Sequence, residues 1–191
     1  MLLKKFIILS RNLICLVGLV MVSPFVFFAS FLIALEDGMP IFFIQERIGK
    51  DKLPFMIIKI RTLKNCSPNT GTHLLGKSYQ LVSGRIFRKI KLDEFPQLIN
   101  VIKGDINLIG PRPGLVSQTE LADARSVKGI FKVKPGITGL SQVLGYDMSN
   151  PEKLAEIDKI YIDKQSLYID FLILIGTFIK YPRKYLVKLL T

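Results

Sequence analysis

From Asn12 to Leu35, "NLICLVGLVMVSPFVFFASFLIAL", the chain carries no charge. At about 1.5 Å per residue a helix of this length can cross a bilayer core of roughly 30 Å. This segment constrains the fold most. A cleaved signal peptide fits poorly, because its apolar core would be shorter and "FFAS" is a weak small-residue cleavage site. Two readings remain from the residues alone. The segment spans the membrane as a straight helix, or it dips in, bends at Ser23-Pro24 and returns. Proline removes a backbone donor and clashes one turn back, which favours a bend. The Ser23 hydroxyl can bond to a carbonyl that the proline frees. Both flanks are basic, with Lys4, Lys5 and Arg11 before the run and Lys50, Lys52, Lys59, Arg61 and Lys64 after it. Cations on both sides favour both flanks facing the cytosol, and so favour re-entry.

The rest of the chain is basic as well. The net charge is +12 and 49% of residues are hydrophobic, which suits an anionic partner at a membrane surface. Nucleic acid is the rival partner for such a charge. The basic runs lack interleaved stacking aromatics and match no nucleic-acid motif, so none is expected. Cys15 lies in the apolar run and Cys66 outside it, so a disulfide is implausible; with His73 as the single histidine, a zinc site is not expected either.

The globular part reads as α+β: a small β-hairpin element and several amphipathic interfacial helices follow the re-entrant membrane helix. Residues 1–38 are expected to form a membrane-inserted re-entrant helix-break-helix anchor, and 39–191 a cytosolic membrane-associated domain that carries the chemistry. "PIFFIQERIGKDKLPFMIIKIRTL" gives two strands around Gly49-Lys50-Asp51-Lys52. Cys66 to Ser83 reads as a mobile loop beside the site. Phe171 to Ile179 is too short to span; with Lys180, Arg183, Lys184 and Lys188 behind it, it reads as an amphipathic helix at an anionic surface.

The chemistry concentrates in "KLDEFPQLINVIKGDINLIGPRP", Lys91 to Pro113. Asp93 and Glu94 follow the cations Arg85, Arg88, Lys89 and Lys91, and Arg112 stands between Pro111 and Pro113. One reading is structural. Asp93 would cap a helix whose apolar face is Phe95, Leu98, Ile99 and Ile102 and which Gly104 ends. The other is a phosphate-handling site with two carboxylates and a rigid guanidinium. "KPGITGLSQVLGYD" adds a glycine-rich backbone that could form a compact turn or approach a ligand closely.

The ordered set Ser23-Pro24, "FFIQERIG", "PFMIIKIRT", "LDEFPQLINVIKGD", "LIGPRP", "KPGITGLSQV" and "DFLILIGTF" resembles the small monotopic phosphoglycosyl transferases, or bacterial sugar transferases. The resemblance covers nearly the whole chain. It implies transfer of a sugar 1-phosphate from a UDP-sugar to polyprenyl phosphate, giving polyprenyl diphosphosugar and UMP, at the start of O-antigen, capsule or glycoprotein glycan assembly. It implies Asp93 as the nucleophile that carries a covalent phosphosugar, and Glu94 as its partner and ligand of Mg²⁺. Arg112, Lys59, Arg88 and Arg61 match basic positions expected to bind phosphate, and Ser23 and Pro24 match the membrane helix break beside the lipid acceptor. The expected location is the bacterial inner membrane with the site on the cytosolic face, among lipid and other glycan-assembly enzymes. A non-catalytic scaffold for such enzymes is the alternative, and the intact Asp93-Glu94 pair opposes it. The chain departs from the family at Lys91, where serine or threonine is frequent, and at Tyr146, where many members have arginine.

Overall fold

The computed structural model describes residues 2–68, 76–179 and 182–190. It is α+β, with eight helices and two small sheets among the described residues. The chain divides into two units: Met1–Gln45 with Met56–Gly104, and Glu46–Phe55 with Asp105–Thr191.

In the first unit, α1 (Leu2–Asp37) is a single helix of 36 residues with Pro24 inside it. The expected helix break is therefore not an interruption. Pro24 offers no N–H to the Val20 carbonyl, and the Ser23 hydroxyl donates to that oxygen instead, at 2.8 Å. One stripe of α1 faces protein. Cys15, Ala29 and Ile33 are buried and Val22 and Val26 partly so, at helical spacing. At Gly18 an added Cβ would stand 3.3 Å from Leu98 of α3 (Gln97–Lys103), so glycine lets the two helices approach. The other faces expose Phe6, Leu9, Leu13, Val20, Phe27 and Leu35. A helix this apolar and this exposed is suited to lipid. By length and composition it is the one described helix able to cross a membrane.

The last turn of α1 is fastened to α2 (Val82–Lys89). The Glu36 carboxylate accepts from the Val82 and Ser83 amides and from the Ser83 hydroxyl, the role of an N-terminal cap for α2. Ala29, Ile33, Ile41, Ile60, Leu81, Phe87 and Leu92 form the core of this unit.

The expected strands are β1 (Phe42–Ile48) and β2 (Pro54–Ile60), paired around a short 3-10 turn at Lys50–Lys52. The loop expected to be mobile falls partly on 69–75, outside the described residues. Its ends are structured: Leu63 bridges Gln80, and the Lys64 amide donates to the Tyr79 carbonyl at 2.9 Å. A 3-10 turn at Leu92–Glu94 leads into α3, which Gly104 ends in the left-handed conformation, φ 87°.

The second unit holds β3 (Asn107–Ile109), α4 (Thr119–Val127), β4 (Gly136–Thr138), α5 (Leu140–Leu144), α6 (Pro151–Lys164), α7 (Leu167–Phe178) and α8 (Arg183–Val187). Its core is Leu140, Val143, Ile157, Tyr161, Ile169, Ile173 and Leu186. β3 and β4 pair in parallel, Asn107 opposite Gly136 and Ile109 opposite Thr138. The glycines of "LIGPRP" and "PGITG" serve this approach: an added Cβ on Gly136 would lie 2.1 Å from the Gly110 amide nitrogen. Chain meeting chain thus accounts for Gly110, Gly136 and Gly139. α7 buries Ile169, Ile173 and Gly176 and exposes Leu167, Tyr168, Phe171 and Phe178, so it is apolar on both faces rather than amphipathic. Lys180, expected behind it, lies outside the described residues.

Candidate active site

Three segments of the first unit bring the acidic pair and its cations together. β2 carries Lys59, α2 carries Arg88, and the 3-10 turn carries Asp93 and Glu94. Lys91, just before that turn, is left-handed at φ 62°, an uncommon conformation for a non-glycine residue. It reverses the chain so that the carboxylates follow α2 closely.

The Lys59 ammonium donates to Glu94 Oε1 at 2.9 Å, with both side chains largely buried. Asp93 is 8% exposed, and its Oδ1 is buried without a hydrogen-bond partner. That geometry overturns the capping alternative. No side chain caps the 3-10 turn or α3, and the residue in the cap position of α3 is Pro96. Burial pushes the Asp93 carboxyl above the usual aspartate range, and the Glu94 charge adds to this. Lys59, Arg88 and Lys91 pull in the opposite direction. The result is a desolvated carboxylate, more basic than an exposed one and close to three cations. A group of this kind can act as a nucleophile on a phosphorus atom whose oxygens the cations screen.

Arg88 is oriented by its Nε, which donates to Thr62 Oγ1 at 2.7 Å. Arg61 is occupied elsewhere: its guanidinium is 5% exposed, pairs with Asp37 and donates to the Gly38 carbonyl. Ser23 and Pro24 stand inside α1.

Arg112 belongs to the second unit. Its backbone carbonyl accepts from Arg125 Nη1 at 2.8 Å, and Arg125 forms a sealed ion pair with Asp158. Arg47, on β1, neighbours Arg112. Its Nη1 donates to the Pro113 carbonyl at 3.3 Å, and its pKa falls to about 10, by burial first and by the Arg112 charge second. Sequence reasoning missed Arg47, since nothing local links "QERIG" to "GPRP". It also missed Gln97 and Asn100. The expected apolar face of α3 is half open at Leu98, Ile99 and Ile102, whereas Gln97, Asn100 and Val101 are buried.

Two adjacent carboxylates are hard oxygen donors of the kind Mg²⁺ takes when substrate phosphates complete its shell. No group of three His, Cys, Asp or Glu side chains occurs among the described residues, so a cage made by protein alone is not what these residues offer. They fit a metal shared with a phosphate ligand.

An apolar helix open to lipid and a buried carboxylate pair among cations define a membrane-associated group-transfer enzyme. The chain belongs to the bacterial sugar transferase family, whose model matches residues 5–184. An uncharacterised sugar transferase of Bacillus subtilis, EpsL, is 38% identical over 152 residues, 80% of this chain and 75% of that protein. The UDP-N-acetylgalactosamine-undecaprenyl-phosphate N-acetylgalactosaminephosphotransferase of Aeromonas hydrophila is 34% identical over 172 residues, 86% of this chain but 41% of the relative. The UDP-glucose:undecaprenyl-phosphate glucose-1-phosphate transferase of Caulobacter vibrioides is 34% identical over 166 residues, 81% of this chain and 61% of the relative. The chain thus spans less than two thirds of these last two.

Proposed function

We propose that the protein transfers a sugar 1-phosphate from a UDP-sugar to polyprenyl phosphate, in two displacements at Asp93. In the first, an Asp93 carboxylate oxygen bonds to the sugar-bearing phosphorus, the diphosphate P–O bond breaks, and UMP leaves with that electron pair. In the second, a phosphate oxygen of polyprenyl phosphate attacks the same phosphorus, and the Asp93 carboxylate leaves. The observation that carries this reading is the buried Asp93, one oxygen unpartnered, beside the Glu94–Lys59 pair. The printed activities of the Aeromonas and Caulobacter relatives supply the substrate classes.

Glu94 would hold Mg²⁺, which when bound neutralises diphosphate charge. Lys59 fixes Glu94, and Arg88 and Lys91 lower the repulsion between Asp93 and an anionic donor. Arg112, held by its two prolines, offers a guanidinium fork suited to a phosphate of the donor or acceptor. The apolar α1 would hold the unit at the cytosolic face of the inner membrane, where a lipid phosphate and a soluble nucleotide sugar can both be reached.

The test is UMP release from a panel of UDP-sugars with polyprenyl phosphate in detergent or nanodiscs. One UDP-sugar should support turnover, chelator should stop it, and Asp93→Asn should abolish it while the fold persists. A phosphosugar adduct should be found on Asp93 when the acceptor is omitted. Turnover of Asp93→Asn near the wild-type rate would remove the covalent role.

A further inference from the structure

α3 buries two side-chain amides on one face, and only one of them is satisfied. Asn100 is fully buried and uses both ends of its amide on β2. Its Oδ1 accepts from the Ile58 amide at 3.2 Å, and its Nδ2 donates to the Met56 carbonyl at 2.8 Å. Gln97, one turn earlier, is 2% exposed, and its Nε2 has no acceptor. Native folds seldom bury an amide donor without a partner, and a catalytic role is among the few reasons for one.

Its position says which ligand. The backbone winds from the 3-10 turn at Leu92–Glu94 through right-handed Phe95 and Pro96 into α3. Gln97 therefore follows Asp93 by four residues, just over one turn along a continuous right-handed segment bonded in the 3-10 pattern. Asp93 Oδ1 is the other buried, unpartnered atom on this segment. A donor and a carboxylate oxygen on one segment, both buried and both without a partner, are matched by a group that accepts from one and bonds to the other.

We propose that Gln97 is a catalytic hydrogen-bond donor, its Nε2–H binding a non-bridging oxygen of the phosphoryl group that Asp93 attacks. This rests on the assignment of Asp93 as nucleophile. As the Asp93–phosphorus bond forms and the diphosphate bond breaks, negative charge stays on those oxygens, and a fixed donor there stabilises it. A neutral amide suits this place better than a cation. Lysine or arginine four residues from Asp93 would pair with the carboxylate and blunt it, whereas the amide leaves the nucleophile's charge intact.

The experiment compares wild type with Gln97→Met, which keeps length and removes the donor, and with Gln97→Glu, which keeps shape and replaces the amide by a negative charge. Full-length protein in detergent is assayed for kcat, for KM with the UDP-sugar that wild type accepts, for the UMP burst without acceptor, and for Tm. In Gln97→Met, kcat and the burst rate should fall together by about 100-fold, with KM within a few-fold of wild type. Its Tm should hold or rise, because an unmatched buried donor is gone. Gln97→Glu should lose at least as much turnover.

A purely structural glutamine gives the opposite pattern: Tm falls clearly, or the Met variant does not fold. Either result overturns the proposal, as does a burst rate within threefold of wild type in either folded variant. The two claims fail separately. Absence of UMP release by wild type from every UDP-sugar defeats the proposed reaction. Turnover by wild type and Gln97→Met alike, with Asp93→Asn inactive, defeats only the role of Gln97.

Discussion

The Arg125–Asp158 pair offers the most quantitative test of the second unit. The two side chains are 4% and 2% exposed, and Arg125 Nη2 lies 2.6 Å from Asp158 Oδ2. Arg125 Nε donates to the same oxygen at 3.1 Å, and the Ser141 hydroxyl donates to Oδ1 at 3.1 Å. Burial pushes the Asp158 carboxyl up, and the Arg125 charge and the Ser141 hydroxyl oppose that. Asp158→Asn keeps the shape but leaves a sealed guanidinium without its counter-charge. Breaking such a pair costs about 3–5 kcal/mol, far more than the pair is worth against an apolar replacement. For a chain of this size each kcal/mol is about 2–4 °C, so Tm should drop by about 6–20 °C. Arg125→Met/Asp158→Leu should recover most of that drop, because no unpaired charge remains. Scanning fluorimetry in detergent reads the Tm of both variants. A loss under about 1 kcal/mol in Asp158→Asn, or a double variant less stable than the single one, would refute the reasoning.

The carboxyl of Asp93 is raised in the folded state, first by burial and then by Glu94. The folded protein therefore holds the proton to higher pH than the unfolded chain, and stability falls as pH rises from the ordinary aspartate value through the raised one. Asp93→Asn should melt a few degrees higher than wild type at pH 7, with a flatter dependence from pH 4 upward; a lower Tm at pH 7 would contradict this. For topology, a single cysteine near Lys4, in a variant lacking Cys15 and Cys66, should resist an impermeant thiol reagent in intact spheroplasts and react after lysis. Labelling before lysis would mean that α1 spans and the re-entrant placement is wrong, and Pro24→Ala, which restores the missing amide, is expected to shift the protein toward that outcome.

What could be read in the sequence was local. The uncharged run marked α1, the β-rich runs around Gly49-Lys50-Asp51-Lys52 marked the hairpin, and Gly104 ended α3 where a left-handed residue was needed. Ser23 was legible as the group that answers the carbonyl freed by Pro24. What escaped depends on partners far along the chain. β3 and β4 are three residues each and pair across the intervening α4, so neither shows a periodic signal. Asp93 looked like a helix cap because its neighbours allow one; its burial follows from a left-handed Lys91 that no local pattern demands. Arg61 looked like one more site cation, yet it meets Asp37 from 24 residues away. Gln97 and Asn100 lie off the apolar stripe that the sequence marks, where polar residues are normally exposed. β2 occupies that side and uses Asn100 as a clamp.

These distant partners also tie the site to the membrane helix. The segments that deliver its residues are fastened to the last turn of α1. Glu36 caps α2, which carries Arg88 and leads through Lys91 to Asp93 and Glu94. Asp37 pairs with Arg61 just beyond β2, which carries Lys59. Any change in the depth of α1 would thus be passed to Asp93, Glu94 and the cations beside them together. α2 adds its own register mark: Val82, Ile86 and Ile90 form an exposed apolar stripe at four-residue spacing, with Arg85 and Lys89 between them. Apolar side chains that enter the acyl boundary while cations meet the headgroups hold a helix at one depth. In the proposed reaction the acceptor is tethered by its tail and its phosphate stays near headgroup level. An enzyme that must meet it has more to gain from a fixed height than from a mobile site. Joining the anchor, α2 and the end of β2 through two adjacent carboxylates is a direct way to obtain that.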